Sequence, residues 1–256
     1  MSTLAIERSG GLAIARLDKG RGNAIDEPLV DDLAAACREL TADASVRGVL
    51  LASAHPRLFC PGLDLVGLLD YDRDSMRRFL LKFAAMIQAL YAMPKPVVAA
   101  LSGHAVAGGC VLALTADYRI LRRGGVAIGL NEVRVGVPLP WSVALLLRAA
   151  VPPEHLAEVG LLGRNFADDE ALAVGLVQEL GPQDGFEAAC LVRLAEFAEK
   201  DPLAFGTTKR YLRSDTLAAM SAREEALVGE FLDAWFSEAT RARIRETVAS
   251  LGKQKT

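Results

Sequence analysis

The chain is poor in the residue types that mark several protein classes. It has four cysteines (Cys37, Cys60, Cys110 and Cys190), none in a C-x-x-C spacing, so zinc ribbons and dithiol redox motifs are excluded. Its three histidines (His55, His104 and His155) are dispersed, so no metal site is expected. Aromatic residues make up only 6%, and no run of Lys and Arg provides the electrostatic footprint of a nucleic-acid-binding surface. There is no acidic tail either, and the formal net charge is −3. The opening "MSTLAIERSGG" lacks the apolar core of a signal peptide. One stretch without acids, Lys or Arg, residues 96–116, approaches membrane-spanning length, but Ser-Gly-His and Gly-Gly divide it into strand, turn and helix. These absences predict a cytoplasmic protein with four reduced thiols, no metal, no nucleic-acid partner and no membrane span.

What is present is abundant apolar sequence, 52% of 256 residues, enough for one large or two small cores. Strand candidates fall at 11–17, 46–54, 96–103, 117–122, 126–130 and 176–180. Helix candidates lie between them: from a cap at Asp26 to about Leu40, at 74–93, at 108–116, at 141–150, from Pro153 to Leu161, and around Asp168–Val174. Residues 55–65, "HPRLFCPGLDL", read as a loop. After about residue 184 four further segments all read as helix. Alternation followed by helices alone predicts an α/β core with an α-helical carboxy-terminal section. The apolar Phe231, Trp235 and Phe236 in that section call for cover by the core or by another subunit.

Two glycine turns carry chemical interest. Gly62 in "FCPGLDL" would free the backbone so that the Leu63 N–H faces a ligand. Gly108 and Gly109 in "HAVAGGCVLAL" fall where a strand meets a helix, and a helix start offers unpaired N–H groups. Two such donors from separate loops would make an oxyanion hole. Each turn alone reads more readily as tight packing. A third segment, "VAIGLNEVRVGVPLP" (126–140), has a single acid, Glu132, among Ile128, Leu130, Val133, Val135 and Val137. Either Glu132 points outward from a surface turn, or it is a proton carrier whose proton affinity burial raises.

The order "LFCPGLDL", "AGGCVLALTADYRI", "IGLNEVRVGV" resembles the crotonase, or enoyl-CoA hydratase/isomerase, family from about Gly22 to Gly181 and more loosely through the tail. "VRGVLLASAHPRLFCPGLDL", "ALTADYRI" and "IGLNE" look closest to its Δ3,Δ2-enoyl-CoA isomerases. The resemblance implies a crotonase-like spiral of ββα units over residues 1–200 and a helical oligomerisation section over 201–256, assembled as a homotrimer or a dimer of trimers. It implies that the N–H groups of Leu63 and Gly108 hold the thioester oxygen of an acyl-CoA, with coenzyme A entering only as part of the substrate and no other cofactor. The loop around Leu58, Cys60, Gly62 and Leu63 would lie along CoA. Hydratases of the family use a second glutamate three residues after the oxyanion glycine, and here that position is Val111. A lone carboxylate at Glu132 suits moving one proton between C2 and C4 of an enoyl thioester. The implied function is therefore 3-enoyl-CoA to 2-trans-enoyl-CoA isomerisation, with enoyl-CoA hydration or non-catalytic acyl-CoA binding as the other readings.

Four expectations concern neighbouring residues. Pro138, Leu139 and Trp141 could line the acyl pocket, with ordinary packing equally open for Trp141. Asp64 is expected to cap the turn after it. Ser102 and His104, two apart, would share a strand face, with His104 structural because no acid orients it. The cluster "TTKRYLR" (207–213) reads as a solvated helix face or as a contact for CoA phosphates.

Overall fold

The computed structural model describes residues 3–20 and 22–253, with side chains through residue 250. The chain starts with a hairpin, β1 (Leu4–Ser9) and β2 (Leu12–Leu17), then α1 (Glu27–Ala42). The second turn of the spiral is β3 (Gly48–Ser53), β4 (Leu58–Cys60), the short α2 (Leu65–Leu68) and α3 (Arg73–Ala92). The third is β5 (Val97–Leu101), β6 (His104–Val106) and α4 (Gly108–Leu114). The fourth is β7 (Tyr118–Arg122), β8 (Ala127–Gly129), the single turn α5 (Glu132–Val135) and α6 (Trp141–Ala150). A 3-10 turn over Pro153–His155 leads into α7 (Leu156–Leu161), β9 (Phe166–Ala167), α8 (Asp168–Ala173), β10 (Glu179–Gly181) and α9 (Phe186–Ala198). Two helices end the fold, α10 (Pro202–Trp235) and α11 (Glu238–Lys253).

The strands sort into two sheets. The larger has the order β1-β2-β3-β5-β7-β10 and the smaller β4-β6-β8-β9. In the second, third and fourth turns the first strand joins the larger sheet and the second joins the smaller. The larger sheet is parallel from β2 to β10 and buried on both faces at its centre. That explains the unbroken apolar runs of β3 and β5, since a strand covered on both sides has no polar face to present. Val49 and Leu51 of β3 point into the main core, and Leu50 and Ala52 meet Phe186, Cys190 and Leu194 of α9 on the other face.

Most predicted elements recur within a few residues, and the helix at 141–150 has the expected ends. Asp26 accepts from the Leu29 N–H at 3.1 Å, and Pro28 sits in the first turn of α1. The differences are instructive. β4 lies inside the stretch read as a loop, and it is a strand because β6, some distance further along the chain, pairs with it in parallel. 

The register sets Leu58 opposite His104 and Cys60 opposite Ala105. β1, β6 and β9 are likewise made by pairing rather than by local pattern. The last strand is Glu179–Gly181 rather than 176–180, because Leu176 and Val177 are drawn into the core before pairing with β7 begins. α10 is one helix of 34 residues where two were expected, and it packs on both α3 and α6.

Close approach of the two sheets' connections makes glycine obligatory at Gly109. A methyl group there would come within 2.0 Å of the Cys60 carbonyl oxygen, a backbone atom that cannot step aside without moving β4. Gly109→Ala is expected to cost about 3 kcal/mol or more, at the upper end for overpacking. Urea unfolding measures this, and a loss under 1 kcal/mol would mean the contact relaxes freely.

Candidate active site

The loops after β4 and β6 meet at the start of α4. Ile25 lies beside Leu63 in a parallel bridge: its N–H donates to the Gly62 carbonyl and its carbonyl accepts from the Asp64 N–H, both at 2.8 Å. Strand alternation then turns the Leu63 N–H to the opposite side. Gly108 opens α4, so its N–H has no intrahelical acceptor. The two backbones touch, since a methyl group on Gly62 would lie 3.2 Å from the Gly108 nitrogen, and Gly62 adopts φ +103, open to glycine at little strain. Ala107, the cap before Gly108, is held at φ 49 and ψ −124, a conformation rare for a residue with a side chain.

Leu63, Gly108 and Glu132 line one cavity of about 340 Å³. Its walls are apolar, with Phe83, Val111, Val135, Val143, Phe231 and Trp235 among them. Glu132 is partly exposed as a residue, but its Oε2 is buried and has no hydrogen-bond partner. Burial raises the carboxyl to about 7, opposed by its own backbone N–H, which favours the charged form. Asp64 is the other acid on the wall, and it caps α2 by accepting from the Gly67 N–H at 3.4 Å.

The other expected residues go elsewhere. Pro138, Leu139 and Trp141 are absent from this wall and line a separate cleft of about 70 Å³, while Val137, Pro140 and Val143 take the cavity side. The Trp141 indole is anchored by a 2.9 Å bond to the Ala219 carbonyl, as a packed aromatic. Leu58 packs over Gly22, and the Cys60 thiol lies 3.1 Å from the Asn23 carbonyl with its pKa pushed up to about 12 by burial. Cys110 is fully enclosed in the core. Ser102 and His104 do not share a strand: Ser102 lies in the turn after β5, and His104 Nδ1 accepts from the Ala127 N–H at 3.0 Å, tying β6 to β8.

In the cluster 207–213 neither expectation holds for its two most buried cations. Lys209 and Arg213 both pair with Asp117, at 2.6 and 2.8 Å, and hold α10 on the core. Sequence reasoning missed Phe231, Trp235 and Thr247 as cavity wall, which brings the section after residue 201 into the site. It also missed Asn23, whose side chain bonds the Phe59 carbonyl and the Ser53 hydroxyl and so steadies β4. Neither role had a local pattern to announce it. Among the described residues no group of His, Cys, Asp or Glu could hold a metal ion, and no helix is long and apolar enough to cross a membrane.

Two sheets in a ββα spiral closed by carboxy-terminal helices constitute the crotonase fold. Residues 7–246 match the family model described as enoyl-CoA hydratase/isomerase, and the chain belongs to that family, whose members act on acyl-CoA substrates. Human mitochondrial enoyl-CoA delta isomerase 1 is 28% identical over 227 residues, 88% of this chain and 75% of that protein. A probable enoyl-CoA hydratase of Mycobacterium tuberculosis is 33% identical over 184 residues, 71% of this chain and 69% of that protein. The crystal structure of human mitochondrial delta3-delta2-enoyl-CoA isomerase superposes with a TM-score of 0.95 at 26% identity, covering 99% of this chain and 100% of that one.

Proposed function

We propose that the protein is an enoyl-CoA isomerase that shifts the double bond of a 3-enoyl-CoA to the 2-trans position. The observation that carries this reading is the Glu132 carboxyl, whose buried Oε2 has no hydrogen-bond partner, in the same apolar cavity as two backbone donors. The Glu132 carboxylate takes a proton from C2 of the thioester. The electrons pass into the carbonyl, and the resulting enolate oxygen is held by the N–H groups of Leu63 and Gly108. Glu132 then returns the proton to C4 as the double bond re-forms between C2 and C3. One group serves as base and then as acid, which a carboxyl near 7 does well at neutral pH.

Val111 supports isomerisation over hydration. It gives the cavity a methyl-bearing wall at the position where the hydratase pattern calls for a second carboxylate to orient water. CoA enters as part of the substrate. The exposed Leu161, Leu162, Leu203 and Leu212 support self-association, which we take to be a trimer or a dimer of trimers.

The test is turnover on a panel of 2- and 3-enoyl-CoAs, followed by absorbance of the conjugated thioester. The expected result is its appearance from 3-enoyl-CoA. Loss of conjugation from 2-enoyl-CoA, with no reaction of the 3-isomer, would make the protein a hydratase instead.

A further inference from the structure

Glu132 stands on an element that cannot hold itself. α5 is a single turn of four residues. The backbone bonds at its two ends are few: Arg134 N to Asn131 O at 3.1 Å, and the longer Gly136 N to Val133 O and Val137 N to Glu132 O, each at 3.3 Å. An isolated turn is unstable because it fixes several dihedrals for one or two weak bonds. Something outside α5 must keep it, and the carboxyl on it, in place.

The structure supplies that support from α11. Thr240, 3% exposed, donates its hydroxyl to the Gly136 carbonyl at 3.0 Å, across 104 residues. Gly136 ends α5 in the left-handed conformation, at φ +95, and a methyl group on it would come within 2.7 Å of both Thr240 Oγ1 and Arg243 Nη1. The next residue, Arg241, donates to the Leu69 carbonyl at 2.8 Å, where α2 ends. Consecutive residues of α11 thus grip the end of the helix that bears Glu132 and the end of the helix that follows Leu63. Thr247, two turns on, reaches the cavity wall.

We propose that Thr240 is a positioning residue for Glu132: its hydroxyl holds α5 so that the carboxyl stays inside the cavity. This rests on Glu132 as the proton carrier proposed above. The titratable groups on α5 and on α11, which packs against it, are Arg134, Glu238, Arg241, Arg243, Arg245 and Glu246 through residue 250, and neighbouring elements add Cys110 of α4, Asp64 at the start of α2 and Arg164 after α7. Burial, rather than any of these charges, is what raises Glu132. Releasing α5 would therefore admit water and lower the proton affinity of the carboxyl.

The test replaces Thr240 by Val, which keeps the shape and removes the donor, and by Ser, which keeps the donor. Carboxyl 13C NMR follows the Glu132 titration, assigned by its absence in Glu132→Gln, and kcat/KM is measured against pH on 3-enoyl-CoA. In Thr240→Val the Glu132 midpoint should fall by about one pH unit from about 7, and the acid limb of the rate profile should move with it. The plateau should fall about tenfold, and Thr240→Ser should restore both. If Thr240→Val does not fold, Thr240→Ala carries the same comparison. A lower melting temperature with an unmoved Glu132 midpoint, or no rescue by Ser, overturns the proposal. Absence of isomerase turnover in the wild type counts against the isomerase reading alone, because the NMR titration still decides the role of Thr240.

Discussion

Glu132→Gln should lose about 10²–10⁴-fold in isomerase turnover and yet be the more stable protein above neutral pH. The loss follows because the amide keeps the shape of the side chain and cannot accept or return a proton. The gain in stability follows from linkage. The folded protein holds the Glu132 proton up to about pH 7, whereas an ordinary glutamate releases it near 4.5. Between those values the folded state binds more protons than the unfolded chain, so this carboxyl opposes folding increasingly as pH rises. The stabilisation of the protonated form is complete below pH 4.5 and is lost through pH 7. Glutamine carries no such charge, so at pH 8 the variant should gain about 3 kcal/mol over the wild type. Below pH 4.5 the two should match. Denaturant unfolding at pH 4.5 and 8 measures the difference, and kcat/KM of the wild type should rise to a plateau with a midpoint of about 7. A variant that is inactive and less stable at pH 8 would mean the carboxyl is paired in the folded protein, against the geometry described above.

The second large effect lies far from the chemistry. Asp117, between α4 and β7, accepts from the Val97 N–H at 2.8 Å and pairs with both Lys209 and Arg213 of α10. Lys209 also donates to the Lys95 carbonyl, and the Arg213 guanidinium bonds the Tyr91 carbonyl at 2.6 Å and stacks on the Tyr91 ring. The three side chains are nearly sealed from water, at 5%, 11% and 13% exposure for Lys209, Arg213 and Asp117. Removing the acid strands both cations. Asp117→Ala should therefore cost about 3–5 kcal/mol, because two cations would remain buried without a counter-charge. Lys209→Met should cost less, since it removes a charge and leaves Asp117 paired with Arg213. Chemical unfolding of the two variants ranks them, and the opposite order would place the stabilising role on Lys209 itself. Loss of this anchor should also loosen the far end of α10, which carries Phe231 and Trp235 to the cavity.

Much of this protein was legible locally. Apolar runs marked the buried strands β3 and β5, Asp26 with Pro28 marked the start of α1, and Pro94 marked the end of α3. These depend on periodicity, capping and backbone geometry, which act within a few residues. Three glycine- or glutamate-bearing segments, in their order along the chain, also carry the family resemblance that implies roles for Leu63, Gly108 and Glu132. What the segments could not say was that these residues share one cavity, or that Pro138, Leu139 and Trp141 turn away from it. Spacing along the chain places a residue on an element, but which way the element faces depends on what packs against it.

The sequence by itself determined the alternation of strands and helices, the glycines that permit the close approach at the head of α4, and the presence of one acid in an apolar segment. Tertiary structure decided the rest: strands as short as β4 and β9, the single length of α10, the wall formed by Phe231, Trp235 and Thr247, and the proton affinity of Glu132. The physical reason is the range of the forces involved. Capping and periodicity are satisfied by near neighbours, whereas burial is conferred by whatever distant chain excludes the water, here the carboxy-terminal helices that bring Phe231, Trp235 and Thr247 to the acid they enclose.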